Sequence, residues 1–185
     1  DLGADETDSY PLTNSNLATV VDGKVGDAAH FDNQHMFNLF LYNSADPLEG
    51  KSDFTVSAFA KLDAGVTADQ HCIFSNGGWG NGGITVCLNT HEWFFINVDT
   101  AAGAQDIGFN LASATGNASF NAYEWHNYAV TVKDGTTLNV YIDGALVHTA
   151  TLNGAISTTN TASPFAIGTS FNGGYPFCGA VDIVK

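Results

Sequence analysis

In the segment "DFTVSAFAKLD", Phe54, Val56, Ala58 and Ala60 alternate with Thr55, Ser57, Phe59 and Lys61. A repeat of two belongs to an extended strand with one face buried. Comparable apolar segments recur as "AAHFDN", "HMFNLFLY", "HCIFS", "GITVCLN", "EWFFINVD" and "DIGFNLA", separated by clusters of Gly, Asn and Asp. The clearest stretch is "WHNYAVTVKDGTTLNVYIDGALVHTATL", residues 125–152, in which Asp134-Gly135 and Asp143-Gly144 lie between β-rich runs. Asp-Gly supplies the positive φ angles of tight hairpin turns, so three consecutive strands are predicted. "PFAIGTS", "FNGGYPF" and "CGAVDIVK" close the chain. Strands with turns about every 8–12 residues and no fixed repeat predict an all-β fold, an antiparallel sandwich of two sheets.

Composition narrows the picture. Glu and Lys are scarce and Met occurs once, so long helices are not expected. A length of 185 residues without a Pro- or Ser-rich linker predicts one domain over residues 1–185, with residues 1–16 as an irregular lead. The chain starts without a Met and ends in the strand-like "AVDIVK", as expected of a monomeric module within a longer extracellular or cell-surface polypeptide. With no apolar run of about 18 residues, no membrane insertion is expected.

Charge excludes more. The five basic residues are all lysine, against nineteen acidic residues, for a formal net charge of −14. Without any guanidinium fork the chain is a poor partner for nucleic acid or anionic membrane. Fifteen of the nineteen acids are Asp, a residue that suits solvated turns and calcium sites alike. Cys72 and Cys87 flank a Gly/Asn loop, and a hairpin symmetric about residues 76–83 would set them opposite each other. A disulfide with Cys178 left over and three buried thiols both satisfy that arrangement. The sequon Asn117-Ala118-Ser119 matters only in a glycosylating source.

The chemistry of common enzymes is missing. Glycoside cleavage needs two carboxyl groups facing one bond, and on a strand these would come at i and i+2. Of Glu6, Glu49, Glu92 and Glu124, none has an acidic partner so placed within a convincing strand. His30 and Asp32 would share a strand face, but His35 would point away, which spoils a compact zinc site. No nucleophile elbow, phosphate loop or paired C-x-x-C occurs.

Taken in order, "GKVGDAAHFD", "DFTVSAFAKL", "EWHNYAVTVKDGTTLNVYIDGALV", "PFAIG" and "FCGAVDIV" make residues 17–185 resemble the laminin-G-like, concanavalin A-type jelly-roll domains. The chain departs at Phe59, where the family usually has Trp, and at Ile183, where an acidic residue often follows the aspartate. The resemblance implies a structural calcium ion held by carbonyls near the N-terminus and by Asp182. His126 matches a family position and is read as structural. Asp22, Asp27 and Asp32 are further metal candidates because they cluster in "VDGKVGDAAHFD", with solvated turn positions as the alternative. Relatives of this fold include glycoside hydrolases and lyases, so an enzyme is one rival reading and a structural spacer another.

In such sandwiches ligands meet rim loops or the concave sheet. The loop "FSNGGWGNGGI", residues 74–84, holds Trp79 on a Gly/Asn backbone. Its expected role is to present an apolar ring for stacking, with Gly78 allowing backbone amides to approach and Asn76 and Asn81 offering hydrogen bonds. Asn172 and Tyr175 in "FNGGYPF" repeat the arrangement, and Asp99 or Asp106 would add a rim carboxylate. The alternative is a Trp79 folded back as a cap on the core. The expectation is a non-catalytic, calcium-containing module that binds an extracellular glycan or a peptide or protein ligand.

Overall fold

The computed structural model describes residues 12–15, 18–32, 40–43, 47–66, 70–89, 93–157, 165–170 and 173–185. Among them the strands are β1 (Thr13–Ser15), β2 (Thr19–Asp22), β3 (Asp27–Phe31), β4 (Phe40–Asn43), β5 (Phe54–Leu62), β6 (His71–Gly77) and β7 (Gly83–Leu88). They continue with β8 (Trp93–Thr100), β9 (Gly103–Asn110), β10 (His126–Lys133), β11 (Thr137–Ile142), β12 (Ala145–Thr151), β13 (Phe165–Ile167) and β14 (Gly179–Asp182). A short helix, α1 (Leu111–Thr115), is capped by Asn110 at one end and by left-handed Gly116 at the other.

The strands form two seven-stranded antiparallel sheets. Sheet A runs β1-β4-β13-β6-β7-β8-β9 and sheet B runs β12-β11-β10-β5-β14-β3-β2. The alternation read from β5 holds, since Val56, Ala58, Ala60 and Leu62 are buried and the residues between them are more open. These side chains, with Tyr128, Val130, Leu138 and Val140, meet Ile84, Val86, Leu88, Phe94, Ile96 and Val98 of sheet A in one core. The Tyr128 and Phe94 rings span the two sheets, nearly parallel and 5.8 Å apart. Among the described residues no helix is long and apolar enough to cross a membrane.

Both predicted Asp-Gly turns form. Asp134 and Gly135 have φ of 53° and 64°, and Asp143 and Gly144 have 51° and 81°. Asp143 also works beyond its turn: it accepts from the Asn127 amide at 2.9 Å and lies 2.7 Å from His126 Nδ1. His126 in turn stacks on Phe120 at 4.3 Å, so its ring is held from two sides. Cys72 and Cys87 are register partners on β6 and β7 and form a disulfide, while Cys178 is buried and lies outside that bond. At the end of the chain, Ile183 adopts φ 43° as one extra residue between the Asp182–Phe59 pair and the reciprocal Lys185–Ser57 hydrogen bonds.

Candidate functional site

On β8 the side chains alternate between two surfaces. Phe94, Ile96 and Val98 enter the core, so Trp93, Phe95, Asn97 and Asp99 take the outer face of sheet A. Register extends these positions into rows across neighbouring strands. One row runs Cys72, Cys87, Phe95, Gly108, and the next runs Ser75, Thr85, Asn97, Asp106. Aromatic and polar positions thus lie side by side on a face that the core does not use.

The loop between β6 and β7 is folded down onto this face rather than projecting from the rim. Gly80 N–H donates to both Asp99 oxygens at 2.8 Å, and Gly82 N–H donates to Asp99 Oδ2 at 2.7 Å. Trp79 N–H donates to Asn97 Oδ1 at 2.6 Å, while Asn97 Nδ2 donates to Asp106 Oδ1 at 2.6 Å. A carboxylate that gathers backbone amides makes charge-assisted bonds, each contributing about 1.5–3 kcal/mol. The sharp path needs glycine: Gly78 has φ 95°, and a Cβ there would come 2.8 Å from Thr85 Oγ1. Trp79 itself adopts φ 50°, which costs a bulky residue about 1–3 kcal/mol and is held by this clasp.

The clasp sets the Trp79 ring beside two others. Its centroid is 6.3 Å from Phe95 at 17° between planes and 5.5 Å from Tyr175 at 37°. Rings in face-to-face contact would be closer, so these are displaced sideways and present a broken, stepped surface rather than a closed stack. Tyr175 is anchored by its carbonyl, which accepts from Cys72 N–H at 3.0 Å, and its side chain is exposed, as is that of Trp93. Trp79 and Phe95 are half-buried. Cys72 and Cys87 are fully buried even though they lie on the outer face, because the folded loop and Tyr175 segment cover that part of the sheet.

The residues singled out from sequence therefore separate. Trp79 and Tyr175 come together, and half-buried Asn81 stays beside them with Nδ2 donating to the Gly78 carbonyl at 3.2 Å. Asn76 is wholly buried in β6, because that strand runs through to Gly77; it does not present its amide to a ligand. Gly78 is also buried, and its N–H donates to the Gly82 carbonyl within the loop. Asp99 is 4 % exposed and serves as the loop's anchor instead of a rim carboxylate. Asn172 lies outside the described residues. Phe95, Trp93 and Asn97 were not singled out, though the alternation of "WFFINVD" already sets them on one face with Asp99.

The metal candidates separate too. Asp182 is buried, its Oδ2 accepts from Val25 N–H at 2.8 Å, and Gly23 packs so close that a Cβ would lie 2.7 Å from that oxygen. Its Oδ1 accepts no hydrogen bond among the described residues. A nearly buried carboxylate with one oxygen so placed is chemically suited to be a cation ligand. Asp22, Asp27 and Asp32 are exposed, and among the described residues no three His, Cys, Asp or Glu side chains group into a metal site. Asp22 and Asp27 are register partners closing the β2–β3 hairpin, which accounts for their clustering in sequence.

Comparison with known proteins agrees with this architecture. Domain 4 of AbnA, a GH43 extracellular arabinanase from Geobacillus stearothermophilus solved with arabinotriose, matches with a TM-score of 0.68 and 19 % identity, over 100 % of this chain and 85 % of that one. The binding domain of Paraclostridial Mosquitocidal Protein 1 matches with 0.68 and 16 %, over 94 % of this chain but 42 % of that one. The IT-sialidase CBM40 of Ruminococcus gnavus matches with 0.57 and 12 %, over 72 % and 74 %. No curated protein matches the sequence. Residues 39–185 match the sequence pattern of the laminin-G-type family described as the concanavalin A-like lectin/glucanases superfamily, and the chain belongs to that family.

Proposed function

We propose that the protein is a non-catalytic binding module that takes a glycan on the outer face of sheet A. The observation that carries this reading is the pairing of half-buried Trp79 with exposed Tyr175, 5.5 Å apart and beside Phe95. Aromatic faces receive the C–H faces of sugar rings, and nearby polar groups fix orientation through hydroxyl hydrogen bonds. Here Asn81 and Asp106 are the adjacent polar side chains. Domain 4 of the arabinanase, which carries arabinotriose, gives the reading a precedent within the fold.

Cleavage is a poor fit. Asp99 spends its oxygens on the Gly80 and Gly82 amides, which leaves Asp106 without a second free carboxyl group across the aromatic surface among the described residues. Calcium enters the proposal as a scaffold ion at Asp182, on sheet B and away from the aromatic face. An extracellular setting suits a disulfide-bonded module of this kind.

Affinity gels and a glycan array, run on the wild type, Trp79→Ala and Tyr175→Ala, test the proposal. Retention of at least one glycan by the wild type, weakened about tenfold or more in each variant, is expected. Equal retention by wild type and variants would remove the site. Release of new reducing ends from a bound polymer, lost in Asp106→Asn, would make the protein an enzyme.

A further inference from the structure

The distribution of charge on the two sheets is uneven. All five basic side chains of the chain are lysines, and there is no arginine. Lys61 lies on β5 and Lys133 on β10, and Lys185 pairs through its backbone with Ser57 of β5. Lys24 sits in the β2–β3 turn and Lys51 just before β5. Each belongs to sheet B or to a turn that feeds it, so sheet A carries no lysine or arginine.

The outer face of sheet A does carry acid. Asp106 is exposed on β9, one strand from Phe95, and Asn97 joins it to the Trp79 backbone through two bonds of 2.6 Å. Asp99 lies on the same face beneath the loop, its charge held by amides rather than by a cation. A ligand stacked on Trp79 and Phe95 thus meets a carboxylate and, among the described residues of sheet A, finds no lysine or arginine. Gly108, the register partner of Phe95 on the edge strand β9, adds no side chain, so the surface beside the rings is open toward that edge.

We propose that this face selects uncharged linear glycans over anionic ones, with Asp106 as the specificity-determining residue. The inference rests on the glycan-binding reading above and narrows its ligand class. Neutral sugars offer hydroxyl donors to the Asp106 carboxylate and C–H faces to the displaced rings. A uronate, sialate or sulfate would bring like charge against Asp106 with no guanidinium or ammonium to offset it. The sideways displacement of Trp79, Phe95 and Tyr175 gives a surface longer than a single ring, suited to consecutive units of a chain.

The test is affinity electrophoresis of the whole chain in gels cast with polymer pairs that share a backbone. Suitable pairs are hydroxyethyl and carboxymethyl cellulose, dextran and carboxymethyl dextran, and linear arabinan and its carboxymethylated derivative. In any pair that retards the protein, the uncharged member is expected to bind about threefold or more tightly at about 20 mM salt, and the gap to narrow at about 0.5 M. Asp106→Asn, which keeps an oxygen for Asn97, is expected to narrow the gap at low salt, and Asp106→Lys to close or reverse it. Equal or tighter binding of the charged member, still dependent on Trp79, would overturn the selectivity and leave the glycan site standing. A gap unchanged in both Asp106 variants would overturn the role of that residue. No retardation by any of the polymers would count against both readings.

Discussion

The rings of Trp79 and Tyr175, carried by two separate glycine-rich loops, lie 5.5 Å apart on the outer face of sheet A, and both residues adopt left-handed backbone, with φ of 50° and 48°. Side chains of this size rarely accept that conformation, so the two positions hold their rings at a backbone cost. Trp79→Gly removes the ring and relieves the strain together. Thermal melting is expected to shift by a few degrees at most, while glycan retention is lost. Loss of the folded state in that variant would show that the indole serves the scaffold instead.

Asp99 ties the loop to the sheet through Gly80 and Gly82. Asp99→Ala leaves the buried Gly82 amide and the part-buried Gly80 amide without their acceptor, at an expected cost of about 2–4 kcal/mol in urea unfolding. Asp99→Asn keeps one oxygen and is expected to cost less. Both variants are expected to change tryptophan fluorescence and to weaken glycan retention, because Trp79 follows the loop. Retention unaffected by Asp99→Ala would separate the clasp from the site.

Tyr128 is buried between the sheets, and its hydroxyl has no hydrogen-bond partner among the described residues. Burial, with a smaller push from the Asp143 carboxylate, raises its pKa well above the ordinary tyrosine value. Above about pH 10 the unfolded chain releases this proton while the folded chain keeps it, so the unfolded state binds fewer protons and stability falls as pH rises. The slope from this residue approaches about 1.4 kcal/mol per pH unit. Tyr128→Phe is expected to be at least as stable as wild type at neutral pH and to lose stability less steeply above about pH 10. Identical alkaline slopes in urea titrations of the two proteins would contradict this.

Asp182 is the position for the proposed scaffold calcium. A chelator is expected to lower the melting temperature of the wild type by a few degrees and to leave Asp182→Ala unmoved. If the chelator shifts neither protein, Asp182 serves only to cap the turn through the Val25 amide.

The scaffold was readable where local pattern and tertiary burial coincide. The alternation of β5, the paired Asp-Gly turns and the opposition of Cys72 and Cys87 all follow from spacing along one hairpin or strand. The site was readable only in part. "NGGWGNGG" looks like an exposed loop because nothing within it shows that Asp99, on another strand, will gather its amides. Asn76 reads as a loop donor because it belongs to the Gly/Asn run around Trp79, yet the register pairs it with Ile84 inside the sheet. In β6 and β7 both faces are buried, one by the core and one by the folded loop, so a strict two-residue alternation does not show there. The usable signal was in β8, where Trp93, Phe95, Asn97 and Asp99 share one face.

The claim that ligand lies on sheet A is tested most directly by the three tryptophan indole N–H signals in solution NMR, assigned through single Trp→Phe variants. Trp79 and Trp93 belong to the outer face of sheet A, whereas Trp125 sits under the Lys61 ammonium on sheet B. On titration with a retained uncharged glycan, the Trp79 signal is expected to move most and the Trp125 signal to stay in place. Movement of Trp125 with Trp79 unchanged would put the ligand on the opposite sheet and contradict the account.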